Sequence, residues 1–176
     1  MRVLLQRVLR ASVDVGARRV AERMFTWWSE RTVTLYADAR RGRVERELRD
    51  DDPGAPERLA AKVAGLRVFA DADGRMQRSV LDVAGECLVV PQFTLYADAR
   101  RGRRPSFDAA SPPEEAAGRV AAFADALEAL GVRVARGAFR ETMAVGLVND
   151  GPVTIWLEDP AGGVPGGEGP RDTMPA

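Results

Sequence analysis

The feature that most constrains the fold of this chain is a Gly-Pro pair between two strand-like stretches near its end. Residues 142–148 and 153–157 are rich in apolar and β-branched side chains, which is typical of β-strands. Gly151 and Pro152 lie between them, in the run Asn149-Asp150-Gly151-Pro152. Proline fixes one backbone angle, lacks an N–H donor and accepts a cis peptide bond. We therefore predict two strands linked by a rigid corner that suits recognition by shape.

A second constraining segment is Pro91-Gln92-Phe93-Thr94-Leu95, which follows the apolar residues 86–90. The apolar run predicts a buried strand. Main-chain N–H groups lose their partners where a strand ends, and free N–H groups commonly bind a developing oxyanion. Thr94 is the obvious nucleophile, but a threonine hydroxyl needs a neighbouring base, and the sequence places none beside it. We assign Thr94 to positioning rather than to covalent catalysis.

The composition removes several classes of enzyme. The 176 residues include no histidine, which excludes a Ser-His-Asp or Cys-His hydrolase and a histidine-ligated zinc site. The single cysteine, Cys87, lies in the apolar strand and is interpreted as a core residue. No apolar run is long enough to cross a membrane, and the start of the chain lacks a signal-peptide pattern. We expect a cytoplasmic protein that uses no metal or organic cofactor.

Two helices are predicted between strands at both ends of the chain. The first follows Pro56 and carries apolar residues at helical spacing, namely Leu59, Val63 and Leu66. The second opens with a capping box, Ser111-Pro112-Pro113-Glu114, and ends before Gly131. Its predicted apolar face consists of Val120, Phe123, Leu127 and Leu130.

The strand pattern predicts one domain over residues 1–158. Residues 1–8 and 12–15 are predicted as two strands around a turn, and residues 71–74 as a further turn. The other predicted strands are residues 31–37, 80–83, 86–90, 132–135, 142–148 and 153–157. Residues 159–176 are rich in glycine and proline and predict a disordered tail.

The two short segments resemble the signatures of the D-aminoacyl-tRNA deacylase family. That family's signatures read Ser-Gln-Phe-Thr-Leu and Asn-x-Gly-Pro-Val-Thr, and the resemblance extends from residue 1 to about residue 158. It implies hydrolysis of the ester between a D-amino acid and tRNA, with glycyl-tRNA mischarged on tRNA(Ala) as a further substrate. It also implies an α/β single-domain fold with layered β-sheets, a β-barrel-like core and two main helices on one side, working as a homodimer.

The resemblance further implies roles for the signature residues. The backbone of Gln92, Phe93 and Thr94 would bind the terminal adenosine and the scissile carbonyl, while a hydroxyl of the tRNA's terminal ribose helps to activate water. Gly151-Pro152 would be cis and reach into the partner's pocket, where a rigid wall rejects L-amino acids by overlap. The residues expected to support these two groups are Pro91, Asn149, Val153 and Thr154.

A cluster of arginines follows the first segment. The formal net charge of the chain is zero, so the molecule as a whole is not drawn to nucleic acid. Four cations nevertheless fall within five residues, where a phosphate backbone would be attracted. We interpret them as candidates for contact with the tRNA acceptor end, and a solvated loop is the alternative. They are Arg100, Arg101, Arg103 and Arg104.

Two departures from the family pattern leave other functions open. Pro91 stands where the family has serine, which removes a hydroxyl and an N–H and motivates an alternative, the deacylation of mischarged L-aminoacyl-tRNA. Residues 25–43 differ from the family's strand, and residues 34–43 repeat residues 94–103 identically. This segment motivates a second alternative, a non-catalytic tRNA-binding dimer with a disrupted pocket.

Overall fold

The computed structural model describes residues 1–23, 32–38 and 52–159. Its strands are β1 (Arg2–Val15), β2 (Arg18–Arg23), β3 (Thr32–Asp38), β4 (Phe69–Ala70), β5 (Met76–Arg78), β6 (Glu86–Pro91), β7 (Arg133–Arg136) and β8 (Met143–Glu158). Its helices are α1 (Ala55–Gly65) and α2 (Pro113–Ala129), and a short 3₁₀ turn spans Phe93–Tyr96. Most of the predicted tail, residues 160–176, and most of the anomalous segment lie outside the described residues.

Strand β1 organises the sheet because both of its edges are paired. One edge pairs antiparallel with β8 from Arg2 to Val15. The other edge pairs first with β3 and then with β2. Strands β6 and β7 continue the sheet from β3 in parallel. Strand β2 also contacts β6 and β7, so the six-stranded sheet curls into a half-barrel.

The sheet has a core on each face. Alternate strand residues such as Val3, Leu35 and Val89 pack with both helices, so the two helices lie on one side. The intervening residues, such as Leu88 and Val90, face the interior of the curled sheet. This alternation is why strand β6 is apolar without interruption. The predicted α/β fold, with a barrel-like core and two helices on one side, is confirmed.

The predicted strand 31–37 occupies the centre of this sheet. Strand β3 pairs with β1 on one side and β6 on the other, and Val33, Leu35 and Ala37 are buried towards the helices. Part of the anomalous segment therefore supplies a central strand. Trp27 and Trp28 lie outside the described residues.

Both terminal strands are longer than predicted. Residues 1–8 and 12–15 form the single strand β1, and the chain reverses at Gly16, which has a φ of +57°. Residues 142–148 and 153–157 likewise belong to the single strand β8. In both cases an irregularity in the pairing, and not a turn, interrupts the pattern of side chains.

The predicted strand at residues 80–83 is wrong. These residues form a turn in which the N–H of Val83 donates to the Ser79 carbonyl and the N–H of Gly85 donates to the Val80 carbonyl. The carboxylate of Asp82 accepts hydrogen bonds from the N–H and hydroxyl of Ser79, which holds the turn closed. The strand lies earlier, at Met76–Arg78, and the predicted turn at residues 71–74 joins it to β4.

Helix α2 is confirmed, but its predicted capping box is wrong. The N-cap is Pro112, whose side chain has no hydrogen-bonding group, so the helix has no side-chain cap. Leu130, predicted on the apolar face, is the C-cap and is 43% exposed. Gly131, with a φ of +90°, ends the helix as expected.

Candidate active site

The first signature begins where strand β6 ends. The N–H of Gln92 donates to the Ala37 carbonyl at 3.0 Å, so this N–H is still part of the sheet. The chain then forms the 3₁₀ turn, in which the N–H of Leu95 donates to the Gln92 carbonyl and that of Ala97 to the Thr94 carbonyl. The turn therefore presents the start of a short helix at the edge of the molecule.

The N–H groups of Phe93 and Thr94 are the free donors of this turn. They come first in the helical turn, where no preceding carbonyl is in register, and the described residues supply no acceptor for either. The prediction of free N–H groups is thus met by Phe93 and Thr94 but not by Gln92. Two neighbouring N–H donors at an exposed edge can bind a carbonyl oxygen or an oxyanion.

The side chains of the first signature lie on the surface. Phe93 is 55% exposed, and its ring packs edge-on against Phe107, with 4.9 Å between the ring centroids. The hydroxyl of Thr94 accepts a hydrogen bond from the side-chain amide of Gln92. An amide is not a base, so the contact orients the hydroxyl without activating it. This geometry agrees with a positioning role for Thr94.

The Gly-Pro pair forms a bulge within a continuous strand. Strand β1 pairs Val8 with Asn149 and Arg7 with Val153, so residues 150–152 have no opposite residue. The peptide bond between Gly151 and Pro152 is cis, and Gly151 has a φ of +109°. Both residues are exposed. The corner predicted between two strands is therefore a rigid projection from one strand.

Arg7 of strand β1 holds this bulge in place. Its Nε atom lies 2.7 Å from Oδ2 of Asp150, and its Nη1 atom donates to the Val68 carbonyl at 2.7 Å. A β-carbon on Gly151 would lie 2.8 Å from Nη2 of Arg7 and 3.0 Å from a methyl group of Val153. Only glycine fits this position, because both its φ and its surroundings exclude a side chain.

Asn149 and Thr154 flank the bulge and contact each other. The amide of Asn149 donates to the hydroxyl of Thr154 at 3.3 Å, and the amide of Gln6 donates to the same oxygen at 3.5 Å. Val153 packs towards the helices and is half-buried. These residues tie the two ends of the bulge together and to β1.

The two signatures do not meet within one chain. The bulge lies beside Arg7, which is in register with Val33 of β3 and, through it, with Cys87 of β6. Pro91 lies four residues beyond Cys87. The bulge and Pro91 are therefore about 13 Å apart along the strand direction. Across the sheet they are about 14 Å apart, which is the three strand spacings from β8 to β6. A ligand at the 3₁₀ turn is therefore out of reach of its own chain's Gly-Pro bulge.

The arginines lie on a closed loop. Backbone hydrogen bonds join Asp98 and Ser106 in both directions, at 2.7 and 2.9 Å, and all four arginines between them are exposed. The side chain of Arg100 binds the carboxylate of Asp98, and this hydrogen bond lowers the pKa of Asp98 well below its usual range. The loop is thus built to display cations beside the first signature.

Pro91 lies against a second loop, after β7. A β-carbon on Gly137 would lie 3.0 Å from the sulfur of Met143 and 3.3 Å from Cδ of Pro91. The N–H of Gly137 donates to the Val89 carbonyl at 2.8 Å. Gly137 therefore leaves room for the ring of Pro91 and the side chain of Met143.

Sequence reasoning missed Arg7, Phe107, Gly137 and Met143. Arg7 lies in a strand whose alternation alone does not say that its side chain reaches Asp150. Phe107 and Gly137 belong to loops without a periodic pattern. These contacts connect residues far apart in the sequence, so no local signal marks them.

Comparison with known proteins identifies the family. The family model described as D-Tyr-tRNA(Tyr) deacylase matches residues 47–158. The chain belongs to this family. The D-aminoacyl-tRNA deacylase of Thermomicrobium roseum is 52% identical over 158 residues, which cover 90% of this chain and 94% of the relative. That of Roseiflexus castenholzii is 49% identical, with 90% of this chain and 92% of the relative covered.

Solved structures share the fold of this deacylase-family chain. A structure titled c-Myc DNA Unwinding Element Binding Protein is 34% identical, with a TM-score of 0.77, and the match covers 92% of this chain and all of that one. A probable eukaryotic D-amino acid tRNA deacylase is 16% identical, with a TM-score of 0.68 and 89% and 97% of the two chains covered, and it supports the fold alone. Among the described residues, no helix has the length and apolar character needed to cross a membrane.

Proposed function

We propose that this protein hydrolyses the ester bond of D-aminoacyl-tRNA and spares the L-aminoacyl ester. The observation that carries the proposal is the exposed Gly151-Pro152 bulge, which Arg7 and Asp150 hold in place. A fixed ring and a fixed glycine form a wall that does not yield to a larger group. The relatives named D-aminoacyl-tRNA deacylase match this chain over most of their length.

The free N–H groups of Phe93 and Thr94 supply electrostatic stabilisation in this reaction. The ester carbonyl binds against them, and the negative charge that develops on its oxygen is shared with both donors. An aminoacyl ester is already activated, so a positioned water suffices as nucleophile. The family resemblance supplies the activating group, a hydroxyl of the terminal ribose of the tRNA.

Thr94 positions the segment and forms no covalent intermediate. Its hydroxyl accepts from the amide of Gln92, and the described part of the chain places no base in contact with it. Thr94→Ala is expected to keep kcat within about tenfold of the wild type, since one neutral hydrogen bond is worth about 1 kcal/mol. Rapid-quench analysis of the wild type and the variant checks this. A trapped acyl-enzyme on Thr94, together with an inactive Thr94→Ala variant that folds normally, would contradict it.

Selectivity follows from exclusion. Exchanging D for L places the side chain where hydrogen was, so a wall on one side of the α-carbon overlaps an L side chain and leaves D-residues and glycine unhindered. Glycyl-tRNA is therefore a second substrate in this proposal. Pro91 ends strand β6 just before the two donors, so its ring affects that side of the proposed site and not the wall at Gly151-Pro152.

A homodimer is part of the proposed site. The 3₁₀ turn and the bulge of one chain lie too far apart to hold one ester, so the bulge of a partner must supply the wall. The sheet face opposite the helices offers the surface for this contact. Leu4 lies in register between Tyr36 and Trp156, and Trp156 is 47% exposed. An apolar row of this kind is typical of an interface between subunits.

The arginine loop is the proposed contact with the acceptor end of the tRNA. Arg101 and Arg103 are exposed beside the first signature. Reversing both charges, with Arg101→Glu and Arg103→Glu, is expected to raise KM for charged tRNA. It should also lower the slope of log KM against log salt concentration by about one for each arginine replaced. An unchanged salt dependence would show that these arginines form a solvated loop that does not contact the tRNA.

The assay compares D-tyrosyl-tRNA and L-tyrosyl-tRNA with the purified protein. Release of D-tyrosine with the L-ester intact is expected. Preferred release of L-amino acids would instead assign the function to mischarged L-aminoacyl-tRNA. Tight, salt-sensitive binding without hydrolysis of either ester would identify a non-catalytic tRNA-binding protein. The cytoplasmic location and the domain boundary at residue 158 stay predictions.

A further inference from the structure

Arg2 connects the turn of the first signature to the end of strand β8. Its Nη1 atom donates to the carbonyl of Leu95 at 3.0 Å, and its Nε atom lies 3.0 Å from Oε1 of Glu158. Its guanidinium carbon lies 4.3 Å from the centre of the Tyr96 ring and 5.4 Å from that of Trp156. One side chain thus makes four contacts, two of them with the turn.

The turn needs such an anchor because it is short and held by few bonds of its own. A 3₁₀ turn of four residues has poor hydrogen-bond geometry, and its closing bond from Leu95 to Gln92 is long, at 3.3 Å. Phe93 and Thr94 are exposed and receive little support from the core. Tyr96, which is 2% exposed, is the buried residue of the turn, and Arg2 packs on its ring.

We propose that Arg2 is a positioning residue that fixes the direction of the Phe93 and Thr94 N–H groups towards the substrate carbonyl. This inference rests on the proposed deacylase function. Arg2 holds the carbonyl of Leu95, directly after the two donors, and it packs against the ring of Tyr96. Without it the backbone bonds of the turn open more often, and the turn loses its fixed orientation relative to the sheet. A displacement of about 1 Å in such donors lowers the rate of the chemical step by about 100-fold.

The planar guanidinium is required for this arrangement. Arginine presents several N–H donors in a fixed plane and stacks on aromatic rings, so it can reach Leu95 and Glu158 while covering Tyr96. Lysine keeps the charge but offers a single donor group. Methionine keeps the length of the side chain and loses all of these contacts. The three residues therefore form a graded series for an experiment.

The kinetic test uses Arg2→Met and Arg2→Lys with D-tyrosyl-tRNA as substrate. Arg2→Met is expected to lower kcat by about 10- to 100-fold with KM within about twofold, and Arg2→Lys to recover part of the loss. The preference for D over L should be unchanged, because the wall at Gly151-Pro152 is untouched. A rise in KM with normal kcat would overturn the proposal and make Arg2 a direct tRNA contact. Wild-type kcat in Arg2→Met would also overturn it.

A second measurement does not depend on activity. Hydrogen exchange reports the N–H groups of Leu95 and Ala97, which close the turn, and that of Gly137, which donates to Val89 elsewhere in the sheet. Arg2→Met is expected to speed exchange at Leu95 and Ala97 by about tenfold or more and to leave Gly137 unchanged. Equal acceleration at all three would indicate general destabilisation, and none would show that Arg2 does not hold the turn. Either result overturns the proposal.

The matched control is Arg19→Met. Arg19 is also a strand arginine paired with a carboxylate, since its Nε atom lies 2.9 Å from Oδ1 of Asp14. It lies on β2 opposite Asp14, at the other end of β1 from Arg2. Its replacement should change neither kcat nor the exchange at Leu95. Wild-type protein that hydrolyses no ester would contradict the proposed function, while the exchange measurement would still decide the role of Arg2.

Discussion

At the scale of single residues, buried polar groups in the central strand work against stability. Thr32 and Thr34 of β3 are fully buried, and their hydroxyls have no hydrogen-bond partner among the described residues. Thr34 belongs to the segment that repeats residues 94–103, where its counterpart Thr94 is exposed. A hydroxyl buried without a partner costs free energy, because it gives up its bonds to water. The repeat therefore introduces a polar group that the core does not use.

Replacing this hydroxyl with a methyl group should stabilise the protein. Thr34→Val keeps the shape of the side chain and is expected to raise the free energy of unfolding by about 1 kcal/mol. The corresponding rise in Tm is about 2–4 °C for a chain of this length, measured by calorimetry. Thr142→Val is the control, since Thr142 is exposed, and it should leave Tm nearly unchanged. A lower Tm for Thr34→Val would show that the hydroxyl has a partner in solution.

Cys87 shows that the sequence can predict the character of a core residue well. It was interpreted as a buried core cysteine from its apolar neighbours, and it is fully buried and free. Burial, with a further contribution from Glu86, raises the pKa of its thiol far above the usual range. A thiol that does not ionise is not a nucleophile, so Cys87 contributes packing and no chemistry.

At the scale of elements, local sequence patterns predicted most of the helices and strands but not always the residues at which they end. The spacing of Val120, Phe123 and Leu127 predicted α2 because burial on one face leaves a helical period in the sequence. The sequence predicts a turn at the break in β1 and a rigid corner between two strands at the break in β8. A turn and a bulge use the same residues, and only pairing with a distant strand decides between them.

The repeated segment shows the same limit most directly. Residues 34–38 and 94–98 share one sequence, yet the first forms strand β3 and the second forms most of the 3₁₀ turn and the bridge to Ser106. Neighbouring strands decide the difference, since β3 lies between β1 and β6. For the same reason, the signature residues could be named from the sequence, whereas the contacts that Arg2, Arg7 and Met143 make could not.

The turn after β5 provides a test of electrostatics at this scale. Hydrogen bonds from the backbone N–H and the hydroxyl of Ser79, with smaller contributions from Arg78 and Arg67, lower the pKa of Asp82. A carboxyl whose pKa is lower in the folded state adds stability above its unfolded pKa of about 3.9, and loses it as the pH falls through the folded value.

Asp82→Asn should therefore destabilise the protein more at pH 6 than at acidic pH. The difference in urea midpoint between the wild type and the variant is expected to shrink as the pH falls from 6 to 3, because the unfolded wild type takes up a proton at this carboxyl before the folded protein does. Ser79→Ala, which removes one of the two donors, should have a smaller effect of the same sign. An equal difference at both pH values would assign the effect to packing.

At the scale of the whole molecule, the proposed site is complete only in the proposed dimer. The donors of the 3₁₀ turn and the wall at Gly151-Pro152 lie at separate places on one chain. The proposed dimer brings the wall of one chain to the donors of the other through the face of Leu4, Tyr36 and Trp156. Activity should therefore depend on association, even though every functional side chain is present in the monomer.

A charge at the centre of this face tests the dependence. Leu4→Glu is expected to give a monomer in analytical ultracentrifugation and to lower deacylation by more than about tenfold, because a buried unpaired charge opposes association. Leu81→Glu is the control, since Leu81 lies in the turn after β5, outside the six-stranded sheet, and is 41% exposed. It should stay dimeric and active. A folded Leu4→Glu monomer with full activity would contradict the shared site.

The most direct test of the central claim is the ratio of D-tyrosyl-tRNA to L-tyrosyl-tRNA hydrolysis in the wild type and in Gly151→Ala, with Gly118→Ala as control. A β-carbon on Gly151 meets Arg7 and Val153, whereas one on Gly118 meets nothing within 4 Å. The wild type and Gly118→Ala are expected to hydrolyse only the D-ester, and Gly151→Ala to lose rate on it, selectivity, or both. A wild type that hydrolyses both esters equally, or a Gly151→Ala variant with an unchanged rate and ratio, would contradict the account.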